Sequence, residues 1–145
     1  METGIWGPPT EGLALSISVE KRKYPISDPI TLNIALKNLS DSPTLLAVRS
    51  AWADYTVRVR LEGAGEVLKT EYALRTIEAS GVGRRMTIQL QPAQVQIDSL
   101  ELSKGFDLSR AGVYAVSATR ETFKKGNTSE FATVTSNVLV IRIVP

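Results

Sequence analysis

The sequence predicts an all-β protein that folds as an antiparallel sandwich of about seven to nine strands. Apolar and polar residues alternate along short segments that are bounded by turn-forming residues, and no segment of useful length shows a helical period. Residues 13–19 form the first such segment, and residues 30–37 form the clearest one. Alternation with a period of two places one face of each strand in a core and leaves the other in water.

A corner before one strand indicates which kind of sandwich to expect. Residues 107–116 read DLSRAGVYAV, so that Tyr114 follows Gly112 closely and begins an alternating strand. In immunoglobulin-type sandwiches, a tyrosine at this place packs its ring in the core, and its hydroxyl bonds the backbone a few residues upstream. We therefore predict an immunoglobulin or fibronectin-III-like fold in which Leu108, Gly112 and Tyr114 form the structural corner.

The same alternation predicts the remaining strands. They fall at residues 44–49, 55–61, 67–74, 86–90, 95–102, 114–118 and 139–143, with turns at 38–43 and 62–65. Apolar residues change phase within residues 95–102, which predicts a β-bulge near Asp98 and Ser99. Residues 121–130 are polar and contain Gly126, so a loop is expected there before the last strand.

Composition excludes several kinds of active site. The 145 residues include neither Cys nor His, so the chain has no disulfide, no thiolate nucleophile and no Ser-His pair. Its 17 basic and 15 acidic side chains are spread along the sequence, which does not favour a nucleic-acid partner. We expect no enzymatic activity, no cofactor and no metal site.

The length fits one domain, with residues 1–11 as an extended N-terminal arm and residues 12–145 as the sandwich. No window has the apolar length of a membrane span, and the first ten residues lack the features of a signal peptide. An extracellular, cell-surface or periplasmic location is expected if a leader was removed, and a cytoplasmic one otherwise.

Several short motifs resemble those of bacterial immunoglobulin-like domains from secreted or envelope proteins. They are Trp6-Gly7, Gly12-Leu13, Tyr24, Asp28-Pro29-Ile30, Asn38-Leu39-Ser40, Leu90-Gln91-Pro92 and Ser136-Asn137. That family usually has Gly after the Leu-x-Pro step, where this chain has Ala93. The resemblance implies a non-enzymatic binding or spacer module whose partners are proteins or other domains of the same polypeptide.

Two other functions are compatible with the sequence. Residues 38–66 resemble part of the bacterial intracellular proteinase inhibitors, so inhibition of a proteinase is the alternative. A hydrolase that uses only carboxylates, drawn from Asp98, Glu101 and Asp107, is a remote third possibility.

The candidate binding residues lie in two loops. Ser40 and Asp41 occupy the turn after the second strand, and Phe123, Lys124 and Lys125 lie in the later polar loop. Sandwich topology brings such loops to one end of the domain, and loops on a rigid scaffold commonly carry binding function. Phe123 would supply apolar contact, while the two lysines would attract an acidic group.

Trp52 is a further candidate because it lies in a short polar connection, residues 50–54. An exposed indole there would be a binding anchor. The alternative is that the indole covers the core as a lid, since tryptophan is highly buried on average.

Overall fold

The computed structural model describes residues 5–82, 86–124 and 127–145. These ranges contain eleven strands and three helices. The strands are β1 (Leu13–Ser18), β2 (Lys23–Pro25), β3 (Thr31–Asn38), β4 (Thr44–Val48), β5 (Thr56–Leu61), β6 (Gly65–Val67), β7 (Met86–Leu90), β8 (Val95–Glu101), β9 (Gly112–Lys124), β10 (Asn127–Thr135) and β11 (Leu139–Val144). The helices are α1 (Ala51–Asp54), α2 (Glu71–Val82) and α3 (Leu102–Gly105), and none of them is long and apolar enough to cross a lipid bilayer.

The strands form an immunoglobulin-like β-sandwich, as the sequence predicts. One sheet has the order β1-β3-β8, and the other has the order β2-β11-β9-β5-β6 with β10 beside β9. Strands β4 and β7 make a separate antiparallel pair. Alternate apolar side chains of both sheets fill the space between them, including Leu32, Ile34, Val57, Val59 and Val116, which are at most 1% exposed. The period of two in the sequence thus corresponds to a core between two layers.

The corner before β9 is held by a side-chain hydrogen bond. The ring of Tyr114 is fully buried, and its hydroxyl donates to the backbone carbonyl of Arg110 at 2.6 Å. Leu108 is buried below it. Gly112 has φ +153°, and a Cβ on it would lie 2.8 Å from Cδ1 of Leu61. The three corner residues therefore serve packing and backbone geometry.

The strand predicted over residues 67–74 is wrong beyond its first residue. β6 ends at Val67, and α2 begins at Glu71. Thr70 precedes the helix, and its Oγ1 accepts a hydrogen bond of 3.3 Å from the backbone N–H of Ala73, as an N-cap does. Ala73 is fully buried and Ile77 packs against the core, so residues four apart bury one face of the helix.

The predicted β-bulge at Asp98 and Ser99 is also wrong. β8 pairs with β3 in an unbroken register from Val95 opposite Lys37 to Glu101 opposite Thr31. The apolar residues change phase because Val95 and Ile97 lie on the outer face, where Ile97 is 62% exposed. Asp98 shares the inner face with Leu100. A polar side chain inside the sandwich, rather than an inserted residue, explains the pattern.

Within residues 121–130, the described residues 121–124 and 127–130 lie in strands and not in the predicted loop. β9 continues to Lys124, and β10 begins at Asn127. Phe123 and Phe131 lie directly opposite each other in the register, with their ring centroids 5.2 Å apart. Such cross-strand aromatic pairs stabilise a hairpin. The described polar residues of this segment therefore belong to two paired strands.

The turn after β3 is fixed by the side chain of Asn38, which is fully buried. Its Nδ2 donates to the carbonyls of Ser42 and Leu90, both at 2.9 Å. Its Oδ1 accepts from the backbone N–H and the Oγ of Ser40, at 2.9 and 2.7 Å. Both amide hydrogens and both acceptor positions of Asn38 are thus used.

Before β1, the chain lies against the sandwich. The N–H of Gly7 donates to the carbonyl of Leu15 at 2.9 Å, and Thr10 pairs with Leu13. The division into an arm over residues 1–11 and a sandwich over residues 12–145 stays a prediction.

Candidate functional site

A cavity of about 400 Å³ opens between β4, α1 and the β9–β10 hairpin. Two arginines, Arg49 and Arg120, and two carboxylates, Asp54 and Glu121, contribute to its lining. The formal charges of these four side chains cancel. Threonine hydroxyls and the rings of the hairpin pair add both polar and apolar surface. A pocket with a few convergent polar groups is the usual form of a ligand site.

Arg120 is the most unusual residue of this cavity because its charge is almost entirely removed from water. Its side chain is 4% exposed. Nη2 donates to the carbonyl of Ala47, and Nη1 lies 3.8 Å from Oδ2 of Asp54. Among the described residues, Nε and Nη1 have no hydrogen-bond partner. Both atoms are shielded from solvent, and the acceptors beside the guanidinium are the carboxylate of Asp54 and the hydroxyl of Tyr55.

The short helix α1 positions the carboxylate next to Arg120. Ser50 caps the helix, and its Oγ accepts from the N–H of Ala53 at 3.3 Å. Asp54 at the other end accepts from the backbone N–H of Arg49 at 3.1 and 3.0 Å with its two oxygens. Asp54 is therefore anchored by the backbone while it faces the guanidinium of Arg120.

Tyr55 and Asp98 extend this charge network into the sandwich. The guanidinium carbon of Arg120 lies 5.0 Å from the ring centroid of Tyr55, a cation–π arrangement. Burial is the main reason that the pKa of Tyr55 is raised to about 12. The charges of Asp98 and Asp54 act in the same direction, and Arg120 opposes them. Arg120 lies close enough to the hydroxyl to lower this pKa, but no hydrogen bond of good geometry joins them.

Loss of water also raises the pKa of Asp98, because its charged form is disfavoured inside the sandwich. The charge of Asp54 adds to this effect, whereas Arg120 lowers the pKa. Protonation at Asp98 is thus coupled to the same arginine that lines the cavity.

The structure places one of the hairpin candidates at this cavity. Phe123 lines it. Lys124 lies at the end of β9, and its Nζ forms an exposed ion pair with Glu130 at 3.4 Å. Such a pair is screened by solvent and contributes little to stability. Lys125 lies outside the described residues.

Ser40 and Asp41 do not line the cavity, although the strand that follows them does. The hydroxyl of Ser40 lies within hydrogen-bond distance of Oδ1 of Asn38 and of the carbonyl of Ser42, and its single hydrogen is donated within the turn. Asp41 is exposed on the turn. The predicted meeting of these two residues with Phe123 is therefore not found in the cavity, because the turn folds back on Asn38.

Trp52 is a core residue and not an exposed anchor. Its side chain is 7% exposed, and its ring lies 6.1 Å from that of Phe106. A Cβ on Gly105 would lie 1.8 Å from Cη2 of the indole. The ring fills space that only glycine leaves open, which corresponds to the lid alternative.

The three carboxylates of the hydrolase alternative are not gathered into one site. Asp98 and Glu101 are three residues apart in the unbroken strand β8, so they point to opposite faces. Glu101 and Asp107 border a second cavity of about 450 Å³. Hydrogen bonds from the hydroxyl and the N–H of Ser109 lower the pKa of Asp107. In the described part of the chain, no three His, Cys, Asp or Glu side chains are grouped so that they could hold a metal.

Sequence reasoning did not identify Arg120, Asp54 or Tyr55 as site residues. One signal was available. Tyr114 begins an inward-facing series with a period of two, and this series continues through Ala118 to Arg120. An arginine in phase with core positions indicates a buried charge, and a buried charge requires partners.

No protein-family model and no curated protein sequence matches this chain. Several solved structures, in contrast, are similar to it. The C-terminal domain of Wzt is 10% identical with a TM-score of 0.56, over 97% of this chain and 77% of that one. The CARDB domain of the PF1109 protein from Pyrococcus furiosus, solved with di-metal ions, is 13% identical with a TM-score of 0.44, over 99% and 95%. A β-glucosidase from Listeria innocua is 11% identical with a TM-score of 0.47, over 90% of this chain and 16% of its own. The likeness to the Wzt domain supports the immunoglobulin-like fold.

Proposed function

We propose that this domain is a non-enzymatic binding module, of the kind found in bacterial secreted or envelope proteins, and that its ligand occupies the cavity around Arg120. One observation carries the proposal. The cavity is open and its polar side chains are held in fixed positions, because Arg120 is bonded to the carbonyl of Ala47 and Asp54 to the N–H of Arg49. A ligand would meet polar groups that need no rearrangement, which is the usual form of a binding pocket.

The surface around the cavity also favours binding over a spacer role. Leu45 and Phe131 line it and are 40% and 53% exposed. Exposed apolar side chains beside fixed polar groups are typical of interaction sites. A domain that only separates its neighbours needs neither feature.

The absence of enzymatic activity is part of the same proposal. The chain has no His or Cys to act as a general base or nucleophile near neutral pH. The cavity holds Asp54 and Glu121, but the first of these is already engaged by the backbone of Arg49 and by Arg120. The lining can therefore orient a ligand better than it can exchange protons with it.

The test is a comparison of two tryptophan variants. Thr133→Trp places a large side chain at an exposed position that lines the cavity. Val140→Trp is the control, because it places the same side chain at an exposed strand position that does not line the cavity. Immobilised domain is screened against short linear peptides and against oligosaccharides. We expect the affinity for any ligand found to fall about tenfold or more in Thr133→Trp and to stay unchanged in Val140→Trp.

Equal binding by both variants, with unchanged melting curves, would show that the ligand lies elsewhere. The inhibitor alternative is examined with a panel of serine proteases. Suppression of one of them near equimolar concentration would contradict a simple binding role.

A further inference from the structure

Building on the proposed function, we infer that the ligand is an extended segment of a partner protein, which adds as a strand to the open edge of β9 beside the cavity. This mode of recognition uses the main chain of the ligand for affinity and its alternate side chains for specificity.

The open edge exists because β5 is shorter than β9. The two strands pair from Leu61 opposite Tyr114 to Thr56 opposite Thr119, and before Thr56 the chain belongs to α1. Beyond Thr119, β9 is paired by β10 on its other side. Within the described residues no strand covers the β5 side of residues 120–124, and the cavity runs along this edge.

The direction of the backbone groups shows which residues of β9 offer hydrogen bonds there. The carbonyl of Val113 accepts from the N–H of Glu62 at 2.9 Å, so Val113 faces the β5 side. The carbonyl of Ala118 accepts from the N–H of Ser136 at 2.9 Å, on the opposite side. Backbone groups alternate in direction along a strand. Glu121 and Phe123 therefore direct their N–H and C=O groups to the open edge.

A second strand edge faces the same cavity. The carbonyl of Ala47 accepts from Arg120, and the N–H of Arg49 donates to Asp54, so these alternate residues point away from β7. Leu45 has the same direction by alternation and lines the cavity. Among the described residues, β7 is the one strand that pairs with β4. The carbonyl of Ala47 and the N–H of Arg49 are already bonded, so β9 is the edge to which a strand can be added.

The chemistry of the lining suits a peptide main chain. Its two arginines and two carboxylates cancel, so the cavity does not select a strongly charged ligand. A peptide main chain offers neutral donors and acceptors, which match the open backbone groups of Glu121 and Phe123. Leu45 and Phe131 offer apolar contact to a side chain of the added strand. We therefore expect a segment of mainly uncharged residues with one apolar side chain at its centre.

The experiment begins with a displayed library of short linear peptides. The tightest binder is resynthesised with one backbone N-methyl group at each residue in turn. We expect the affinity to fall about tenfold at every second residue and little at the residues between, because only alternate amides face β9. On the protein, Glu121→Pro removes one N–H of the open edge, whereas Glu121→Ala keeps it. Both variants lose the carboxylate, so the proline variant should bind about tenfold or more weakly than the alanine variant.

The N-methyl series decides the question even if Glu121→Pro does not fold. Strand addition is overturned if the ligand tolerates N-methylation at every residue, or if its affinity falls without alternation. If Thr133→Trp still blocks such a ligand, the cavity remains the binding site. If Thr133→Trp blocks no ligand, the proposed function is itself wrong. A dimer in sedimentation that Glu121→Pro dissociates would identify a second copy as the occupant and overturn the inference.

Discussion

The hydroxyl of Tyr114 donates to the carbonyl of Arg110 at 2.6 Å, and this bond ties β9 to the chain that leads into it. Tyr55, the other fully buried tyrosine, has a hydroxyl without a hydrogen-bond partner in the described chain. The two residues bury the same side chain in the same sandwich. They differ in whether the hydroxyl is satisfied, which makes them a matched pair.

We predict that Tyr114→Phe lowers the free energy of unfolding by about 1–3 kcal/mol, because the carbonyl of Arg110 loses its partner. Tyr55→Phe should change stability by less than about 1 kcal/mol, or raise it, since no bond is lost. Urea denaturation of both variants checks this. Equal losses in the two variants would mean that the bond at the corner contributes nothing.

Gly105→Ala should be destabilising by about 1–3 kcal/mol, because the new methyl group would collide with the indole of Trp52. The same change in a Trp52→Ala background should cost much less, since the colliding ring is absent. A double-mutant cycle from urea melts measures the difference. Additive costs would show that the two residues do not share this space.

Ala93 has φ +66°, a left-handed conformation that favours glycine. It follows Leu90-Gln91-Pro92, and the bacterial immunoglobulin-like domains that the sequence resembles usually have Gly at this position. We predict that Ala93→Gly raises the free energy of unfolding by about 0.5–1 kcal/mol. Ala64→Gly, in a turn at a residue without positive φ, is the control and should be neutral or destabilising. Thermal melts in which both changes destabilise would argue against strain at Ala93.

The raised pKa of Asp98 predicts a pH-dependent effect of Asp98→Asn. A carboxyl whose pKa is higher in the folded state opposes folding once it ionises, so the penalty is absent below its unfolded pKa of about 4 and complete above its folded pKa. The variant should melt at higher temperature than the parent at about pH 7, with the gain vanishing at about pH 3. Asp41→Asn, at an exposed turn, is the control. A gain that persists unchanged at low pH would exclude ionisation as its cause.

The parts of the fold that were predictable from sequence are those where one face of a strand is fully buried. Leu32, Ile34 and Leu36 of β3 are each 0% exposed, and an apolar residue occupies every second position from 32 to 36 of this strand. The corner was predictable because the hydroxyl of Tyr114 bonds the carbonyl of Arg110, only four residues earlier in the sequence. Helix α2 was missed because Tyr72 and Leu74 are apolar yet 50% and 56% exposed, which hides the helical period of its buried residues.

The candidate site was not predictable in the same way, because it depends on contacts between distant parts of the chain. Asp54 at the end of α1 and Arg120 in β9 are 66 positions apart in the sequence and approach each other only in the folded domain. Asp98 interrupts the apolar alternation of its strand, which predicts a bulge, and Arg120 follows the predicted strand 114–118, so neither residue type indicates an inward position. Phe123 was found because an aromatic residue in a polar segment stands out without knowledge of its neighbours.

The side-chain amide of Asn38 uses all of its donors and acceptors in hydrogen bonds, and this has a practical consequence for production of the protein. Asn38-Leu39-Ser40 is an acceptor sequence for N-linked glycosylation, which modifies the amide nitrogen of the asparagine. In the folded domain that nitrogen is buried and donates to the carbonyls of Ser42 and Leu90. A sugar attached during passage through a eukaryotic secretory pathway would leave no room for the turn, so the glycosylated chain and the native sandwich exclude each other.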